Sequence, residues 1–171
     1  LPLTVFGASP LIGLAAAAGL GLVTALDGPC CLPASASEEV VEAGIDAGHT
    51  DARRLEQAIE DGLFAVHPDP DTALADRLGR FDRLSHADVS VLALAAQHDG
   101  TAVMDEQAGR TVADIEDIPA HGTAYIVLNA QQQGDIDPTE ARTVVGELVE
   151  VGWYCSPALH ARLLDKIEEL G

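Results

Sequence analysis

This chain alternates short apolar runs with capped helix starts, and that alternation constrains its fold more than any other feature. Strand-like runs cover residues 3–6, 29–33, 63–66 and 101–104. Strands that are separated by helices pair in parallel, because a long crossover is needed to bring the chain back to the same edge of the sheet. We therefore expect an α/β three-layer sandwich with a short, mainly parallel sheet flanked by helices.

The helix starts are marked by two kinds of local signal. One is a capping side chain directly before a proline, which suits the first helical position. The other is a serine three residues before an acid, the spacing of a capping box. The first kind occurs at Ser9, Asp137 and Ser156, and the second at Ser35 with Glu38 and at Ser85 with Asp88. Together with the apolar spacing, they predict helices near 10–18, 36–44, 51–61, 86–98, 138–151 and 157–169.

Length and composition indicate one folded domain over residues 1–171. A chain of 171 residues is in the range of a single domain, and a second domain would have too little core of its own. Apolar residues make up 47% of the chain but aromatic residues only 4%, so the core must be built from Ala, Leu, Val and Ile. Such small side chains predict helices packed closely against a small sheet.

The charge of the chain is strongly negative. It has 28 Asp and Glu against 9 Lys and Arg, which gives a net charge of −19, and Lys166 is its single lysine. Acids spread over a folded surface are typical of proteins from organisms with molar salt in the cytoplasm, where the Debye length of roughly 3 Å screens their repulsion. An ordinary acidic protein is the alternative, but it explains the depletion of lysine less well. Any nucleic acid would have to be held locally, by metal ions or a few arginines.

The cysteines and the N-terminal segment point to a cytoplasmic protein without a membrane span. Cys30, Cys31 and Cys155 have neither metal-binding nor disulfide-framework spacing, so we interpret them as small buried side chains in a reducing compartment. The uncharged stretch from Leu11 to Leu26 is shorter than the ~20 residues that a span needs, and it has no basic region before it. A buried strand followed by buried helices fits this segment better.

Acidic residues follow or face the ends of the predicted strands. Asp105 ends the run 101–104, with Glu106 next to it, and Asp88 opens the helix before that strand. Gly7 stands at the end of the first strand, where a side chain is absent. In an open parallel sheet, ligands bind beyond the carboxyl ends of the strands, so positions 7 and 105 should lie near each other at the functional edge.

These segments resemble PIN-domain proteins in their order and spacing, over nearly the whole chain. The C-terminal part resembles the archaeal and bacterial branch related to toxin-antitoxin ribonucleases. The segments that carry the resemblance are Val5-Phe6-Gly7-Ala8-Ser9-Pro10-Leu11-Ile12, Leu32-Pro33 through Ser37-Glu38-Glu39-Val40-Val41, the helix from Asp88, Val103-Met104-Asp105-Glu106-Gln107-Ala108-Gly109-Arg110, Asn129-Ala130-Gln131-Gln132-Gln133-Gly134 and Gly152-Trp153-Tyr154-Cys155-Ser156-Pro157.

The resemblance implies cleavage of single-stranded RNA by acids that hold Mg²⁺ or Mn²⁺. By position, Glu39, Asp88 and Asp105 match the family's acids, and Glu106 replaces Asp105 if the alignment slips by one residue. Carboxylates suit this role because Mg²⁺ prefers hard oxygen ligands. The first acid of the family falls on Gly7, so we expect catalysis to be impaired and the fold to be unchanged.

Each candidate also has a purely structural interpretation. Asp88 fits a helix cap as well as a metal ligand, and the two roles are compatible. Asp105 and Glu106 could be ordinary turn acids. Arg110, on the helix after Asp105, could contact a phosphate, although pairing with a nearby acid is the simpler expectation. We expect Ser9 to be a cap. We interpret the histidines as surface or loop residues; they are His49, His67, His86, His98, His121 and His160.

Two functions therefore remain open at this stage. The first is a divalent-metal ribonuclease, in the manner of a toxin component, that uses Glu39, Asp88 and Asp105. The second is a catalytically inactive PIN-like module that binds RNA or a protein partner. Single-stranded RNA, an antitoxin-like protein and a second copy of the chain, as a homodimer, are the partners that these alternatives imply.

Overall fold

A parallel sheet lies at the centre of the protein, as the alternating pattern predicts. The computed structural model describes residues 2–42, 44, 50–153 and 155–171. Within these residues the strands are β1 (Thr4–Phe6), β2 (Cys30–Pro33), β3 (Ala65–His67), β4 (Thr101–Val103) and β5 (Ala120–His121). Their order across the sheet is β3-β2-β1-β4-β5, and every pairing is parallel.

Helices pack on both faces of this sheet, which confirms the expected three-layer α/β sandwich. A 3₁₀ helix at Leu20–Ala25 precedes β2, and a π-helical turn at Glu38–Glu42 follows α2. Among the described residues, no helix has both the length and the apolar content that crossing a membrane requires. The helices are α1 (Ala8–Ala16), α2 (Ala34–Ser37), α3 (Thr50–Glu60), α4 (Ala73–Leu78), α5 (His86–Gln97), α6 (Gln107–Ile115), α7 (Thr123–Gln132), α8 (Pro138–Glu150) and α9 (Pro157–Leu170).

Three predicted capping residues begin the helices that follow them. The side chains of Ser85, Asp137 and Ser156 each accept the backbone N–H three residues further on, at 2.7–3.1 Å. Each bond satisfies an N–H group that has no partner within the helix. The starts of α5, α8 and α9 are therefore confirmed.

Two predicted caps are wrong. α1 begins at Ala8, so Ser9 lies inside the first turn and Gly7 is the N-cap. α2 begins at Ala34, so Ser35 also lies inside its helix, and Glu38 begins the π-helical turn without completing a capping box. Both helices start early because the preceding strand leads into them with one connecting residue or none. The end of the helix predicted near 36–44 includes residue 43, which lies outside the described residues.

Other elements differ from the sequence prediction in ways that concern the site. The strand predicted at 63–66 is β3, two residues later, and its Val66 is exposed because β3 is an edge strand. α4, α7 and β5 were not predicted, and α6 was expected only as a helix after Asp105, without bounds. β5 is only two residues long, which is too short for a periodic pattern.

The core lies on both faces of the sheet because successive strand residues point to opposite sides. Phe6 and Leu32 belong to the cluster on one face, whereas Val5 and Cys31 belong to the cluster on the other. Cys30 and Cys31 are buried, and burial raises the pKa of the first thiol to about 11 and, with the nearby charge of Cys30, that of the second to about 12. The expectation of small buried side chains is thus confirmed for this pair, while Cys155 is half-buried.

Candidate functional site

The first and fourth strands end side by side at the edge where a ligand was expected. The backbone N–H of Gly7 donates to the carbonyl of Val103 at 2.9 Å, two residues before Asp105. Asp105 and Glu106 occupy the short segment between β4 and α6. Positions 7 and 105 therefore lie at the same edge, as the parallel order requires.

Two acids from other elements, Asp88 and Glu39, lie close enough to Glu106 for their charges to act on it, and we call these three residues the carboxylate cluster. Glu39 is exposed on the π-helical turn after α2, Asp88 is half-buried in the first turn of α5, and Glu106 is the exposed N-cap of α6. The negative charge of Asp88, then burial, then the negative charge of Glu39 raise the pKa of Glu106. Within the described residues none of the three forms an ion pair with an arginine or lysine. Asp88 and Glu39 therefore each disfavour the ionised form of Glu106.

Asp88 is the cap that the sequence predicted and still faces the other acids. Its N–H donates to Ser85 Oγ at 3.1 Å, and its Oδ2 accepts the N–H of Ser85 at 3.4 Å. This capping box fixes the carboxylate at the start of α5. The interpretation as a cap is therefore correct, and from this position the charge of Asp88 still acts on Glu106.

Asp105 has a different set of contacts from its neighbour Glu106. Its Oδ1 accepts the backbone N–H of Thr123 at 2.8 Å, and its Oδ2 accepts the Thr123 hydroxyl at 2.6 Å. α7 has no side-chain cap of its own, because its N-cap is Gly122. Asp105 therefore supplies the negative charge that the start of α7 favours. The charges of Asp88 and Glu39 act on Glu106, the alternative that the sequence offered for Asp105.

Gly7 is not required by the shape of the backbone. Its φ of −79° and ψ of 170° are extended values that any residue adopts. A Cβ atom built there would lie 3.4 Å from the carbonyl oxygen of Val103, its nearest neighbour, which is ordinary contact. The chain could therefore carry a side chain at the end of β1, and the absence of one is a chemical difference with no steric cause.

Asp69, which was not predicted as a site residue, joins α2, the helix just before the turn that carries Glu39, to α5, the helix that carries Asp88. Its Oδ1 accepts both the N–H of Ser35 at 3.0 Å and the Ser35 hydroxyl at 2.9 Å, and its Oδ2 lies 3.1 Å from Nε2 of His86. Burial alone would raise the pKa of Asp69, but these hydrogen bonds outweigh it and lower the pKa. Ser35 lies in α2 and His86 opens α5, so Asp69 sets the spacing of the two helix starts.

Arg110 and His121 lie beside Asp105. Both Arg110 Nη1 and Asp105 Oδ1 approach Gly122, although the described residues include no ion pair of Arg110. The expectation that Arg110 pairs with an acid is therefore not met there. Burial, and then the charge of Arg110, lower the pKa of His121. His121 is half-buried in β5 and stacks on Tyr125 at 3.8 Å, so its interpretation as a surface or loop residue is wrong.

The other histidines have varied positions. His86 is exposed at the first position of α5, so its interpretation as a surface residue is confirmed, and His67 ends β3. His98 is the C-cap of α5, and His160 lies in α9. His49 lies outside the described residues.

The carboxylate cluster has the donor chemistry of a magnesium or manganese site but is not a preformed one. Among the residues that the structure describes, no three Asp, Glu, His or Cys side chains form a group that could hold a metal ion as they stand. Mg²⁺ commonly keeps several waters and binds to proteins through one or two carboxylates, so widely spaced oxygens still suit it. Glu39, Asp88 and Glu106 therefore fit a hydrated divalent ion by chemistry.

Comparison with known proteins gives one match. A family model described as a PIN domain matches residues 3–169, which is nearly the whole chain. No curated protein and no solved structure matches.

Proposed function

The chain belongs to the PIN-domain family, whose fold is that of nucleases, and from this premise we propose that it is a divalent-metal-dependent ribonuclease acting on single-stranded RNA. The observation that supports the proposal is that the charges of Asp88 and Glu39 both act on Glu106, which lies just beyond the carboxyl end of β4. Charges that repel in the absence of a cation become ligands in its presence. Mg²⁺ or Mn²⁺ is the proposed cofactor.

The chain's own residues have distinct parts in this proposal. Glu39, Asp88 and Glu106 would hold the ion, and Asp105 would support the site by fixing the start of α7. The ion, when bound, supplies a more acidic water and neutralises charge on the phosphodiester. In the reaction a water oxygen bonds to phosphorus and one P–O ester bond breaks, which leaves a phosphate monoester and a free hydroxyl.

A catalytically weak module that binds RNA or a protein partner is the second candidate. Gly7 favours it, because the family acid expected at the end of β1 is missing. We further propose that residues 1–171 form a single domain of the toxin-antitoxin branch, with an antitoxin-like protein partner, and that the protein forms a homodimer. We also propose a cytoplasmic location, which the free cysteines support, in a halophilic archaeon, which the net charge of −19 supports.

The Gly7→Asp substitution separates the two candidates. We expect it to strengthen Mn²⁺ binding in isothermal titration and to raise metal-dependent cleavage of single-stranded RNA at high salt, and Asp88→Asn in the same chain should abolish the cleavage. Gly21→Asp is the matched control, because a Cβ there meets nothing within 4 Å and the added charge lies in the 3₁₀ helix. If Gly7→Asp neither binds Mn²⁺ better nor cleaves, the ribonuclease proposal fails and the binding module stands.

Parallel substitutions identify the acid after β4. Glu106→Gln should weaken Mn²⁺ binding if Glu106 is a ligand, whereas Asp105→Asn should act mainly on stability through Thr123. If Asp105→Asn weakens Mn²⁺ binding and Glu106→Gln does not, Asp105 is the ligand, as its position relative to the family's acids implies.

A further inference from the structure

A cavity of about 580 Å³ opens next to the carboxylate cluster, between residues 80–84 and one face of α6. Gln107 at the start of α6 and Leu84 at the end of the loop both line it. Gln107 directly follows Glu106, and Leu84 stands four residues before Asp88. A ligand in this cavity would therefore lie next to the acids of the proposed active site.

The cavity has an unusual charge for this protein. Arg80 and Arg83 line it, and so does the carboxylate of Asp82, so the charged lining is two positive against one negative, or +1, in a chain of −19. Both arginines are exposed, and among the described residues neither forms an ion pair, whereas Arg77 just before them is paired with Glu116 at 2.6 Å. Guanidinium groups that no carboxylate neutralises are suited to binding phosphate.

An exposed aromatic ring stands between the two arginines. Phe81 is 51% exposed, while Phe6 and Phe64 are buried and pack edge to face at 5.4 Å. The turn that carries Phe81 is anchored by the buried Leu78 and Leu84, and backbone hydrogen bonds join Phe81 to each of them, at 3.1 and 3.2 Å. The ring is thus held on a fixed turn without a covering partner in the described chain. Such a ring offers a stacking surface to a base.

We propose that this cavity binds single-stranded nucleic acid beside the cleavage site, with phosphates on Arg80 and Arg83 and a base stacked on Phe81. The proposal rests on the ribonuclease function proposed above and names a substrate-binding surface for it. A strongly acidic protein needs such a local surface, because its overall field repels a polyanion. A guanidinium group and a flat ring on the adjacent residues Arg80 and Phe81 match the alternation of phosphates and bases along a nucleic-acid strand. An acidic peptide would use the arginines but would leave the ring without a planar partner.

Binding of a labelled single strand tests the proposal without cleavage. Fluorescence anisotropy of an RNA of about 12 nucleotides, in EDTA so that metal-dependent hydrolysis is off, would compare the full chain with its variants at several salt concentrations. We expect Arg80→Gln with Arg83→Gln to weaken binding about tenfold or more and to reduce the slope of log K against log salt by about 1.4, or 0.7 for each lost phosphate contact. Phe81→Leu should weaken binding about fivefold or more without changing that slope.

A matched control separates local contacts from net charge. Arg142→Gln with Arg162→Gln removes the same charge from exposed positions on α8 and α9, away from the cavity, and should leave both affinity and slope nearly unchanged. Equal losses in the two double variants, or no loss in the cavity variants, would overturn the proposal. The proposal would also be overturned if a polyglutamate peptide bound to the chain, if the cavity variants abolished that binding, and if RNA did not bind.

The outcomes also distinguish this proposal from the ribonuclease function. If Asp88→Asn abolishes cleavage while the cavity variants cleave and bind as the unchanged chain does, only the cavity assignment fails. If no variant cleaves RNA but the cavity variants still lose binding as expected, the ribonuclease function fails and the binding surface stands.

Discussion

Asp69 accepts a hydrogen bond from His86 at 3.1 Å and thereby joins the loop after β3 to the start of α5. The same carboxylate holds Ser35 in α2. Residues 35, 69 and 86 are far apart in the sequence but in contact in the fold. Asp69 therefore fixes the start of α2, which leads into the turn with Glu39, relative to the start of α5, which carries Asp88.

Replacing Asp69 should lower stability in a pH-dependent way. We expect Asp69→Asn to cost about 1 kcal/mol near neutral pH, since it removes a charge that accepts three hydrogen bonds while the carboxylate is partly exposed. Because these bonds lower the pKa of Asp69, their contribution is complete above the ordinary aspartate pKa of about 4 and is lost as the pH falls through the lower folded value. Urea unfolding at several pH values measures this.

Asp71→Asn is the control for that experiment, because Asp71 is an exposed acid in the same loop. It should change stability little at any pH. A difference between Asp69→Asn and the unchanged chain that stays constant down to pH 2 would contradict the assigned cause.

The bond between Asp105 and Thr123 should stabilise the start of α7. Thr123 is fully buried and donates to Asp105 at 2.6 Å, so Thr123→Val leaves a carboxylate oxygen without its donor in a space of the same shape. We expect a loss of about 1–3 kcal/mol in the free energy of unfolding. Thr143→Val, at an exposed helix position whose hydroxyl bonds only to the backbone, should cost at most about 0.5 kcal/mol. Equal losses would show that Asp105 does not hold α7.

The sequence could predict the sheet edge but not these connections. β1, β2 and β4 were predicted because each is a short apolar run followed by a helix, and the capped starts of α5, α8 and α9 lie within four residues of their signals. α7 was missed because its N-cap, Gly122, has no capping side chain. The acid that caps the helix instead is Asp105, eighteen residues before Thr123. The hydrogen bonds of Asp69 were missed for the same reason, since local patterns do not register contacts across 34 residues.

The candidate site was predictable in part. Gly7 and Asp105 were singled out because they stand at strand ends, Asp88 because it opens a helix, and Glu39 because of the family resemblance. The different roles of Asp105, which binds Thr123, and Glu106, a candidate ligand, could not be predicted. Two adjacent acids after a strand are indistinguishable in the sequence until the contact with Thr123 is known. The cavity beside Phe81 was not predicted either, because it forms only when the loop 80–84 packs against α6.

Neutralising Glu106 should stabilise the protein when no metal is present. The charges of Asp88 and Glu39 help to raise the pKa of Glu106, so its ionised form is disfavoured in the folded state and stability falls as the pH rises through the ordinary glutamate pKa of about 4.3. Glu106→Gln should therefore raise stability near neutral pH by a few tenths of a kcal/mol, given the exposure of the group. The gain should vanish in acid, where the carboxyl group is protonated in both states.

Two comparisons make that result specific. Glu56→Gln removes one charge from the middle of α3 and should give a smaller gain. Mn²⁺ should raise the melting temperature of the unchanged chain more than that of Glu106→Gln. If Mn²⁺ stabilises both equally, Glu106 is not a ligand.

Salt should stabilise the protein because its surface charges repel. With a net charge of −19, raising KCl from about 0.1 M to about 1 M shortens the Debye length from ~10 Å to ~3 Å and screens the repulsion that favours unfolding. We expect the melting temperature to rise over this interval. Glu147→Gln with Glu150→Gln, two exposed acids of α8, should raise the melting temperature at low salt and make the salt dependence shallower. Sucrose at matched osmolality should not reproduce that difference between the chains. A melting temperature that is flat or falls with KCl would remove the argument for a high-salt cytoplasm, and with it the reason to expect that nucleic acid is held by a few local arginines.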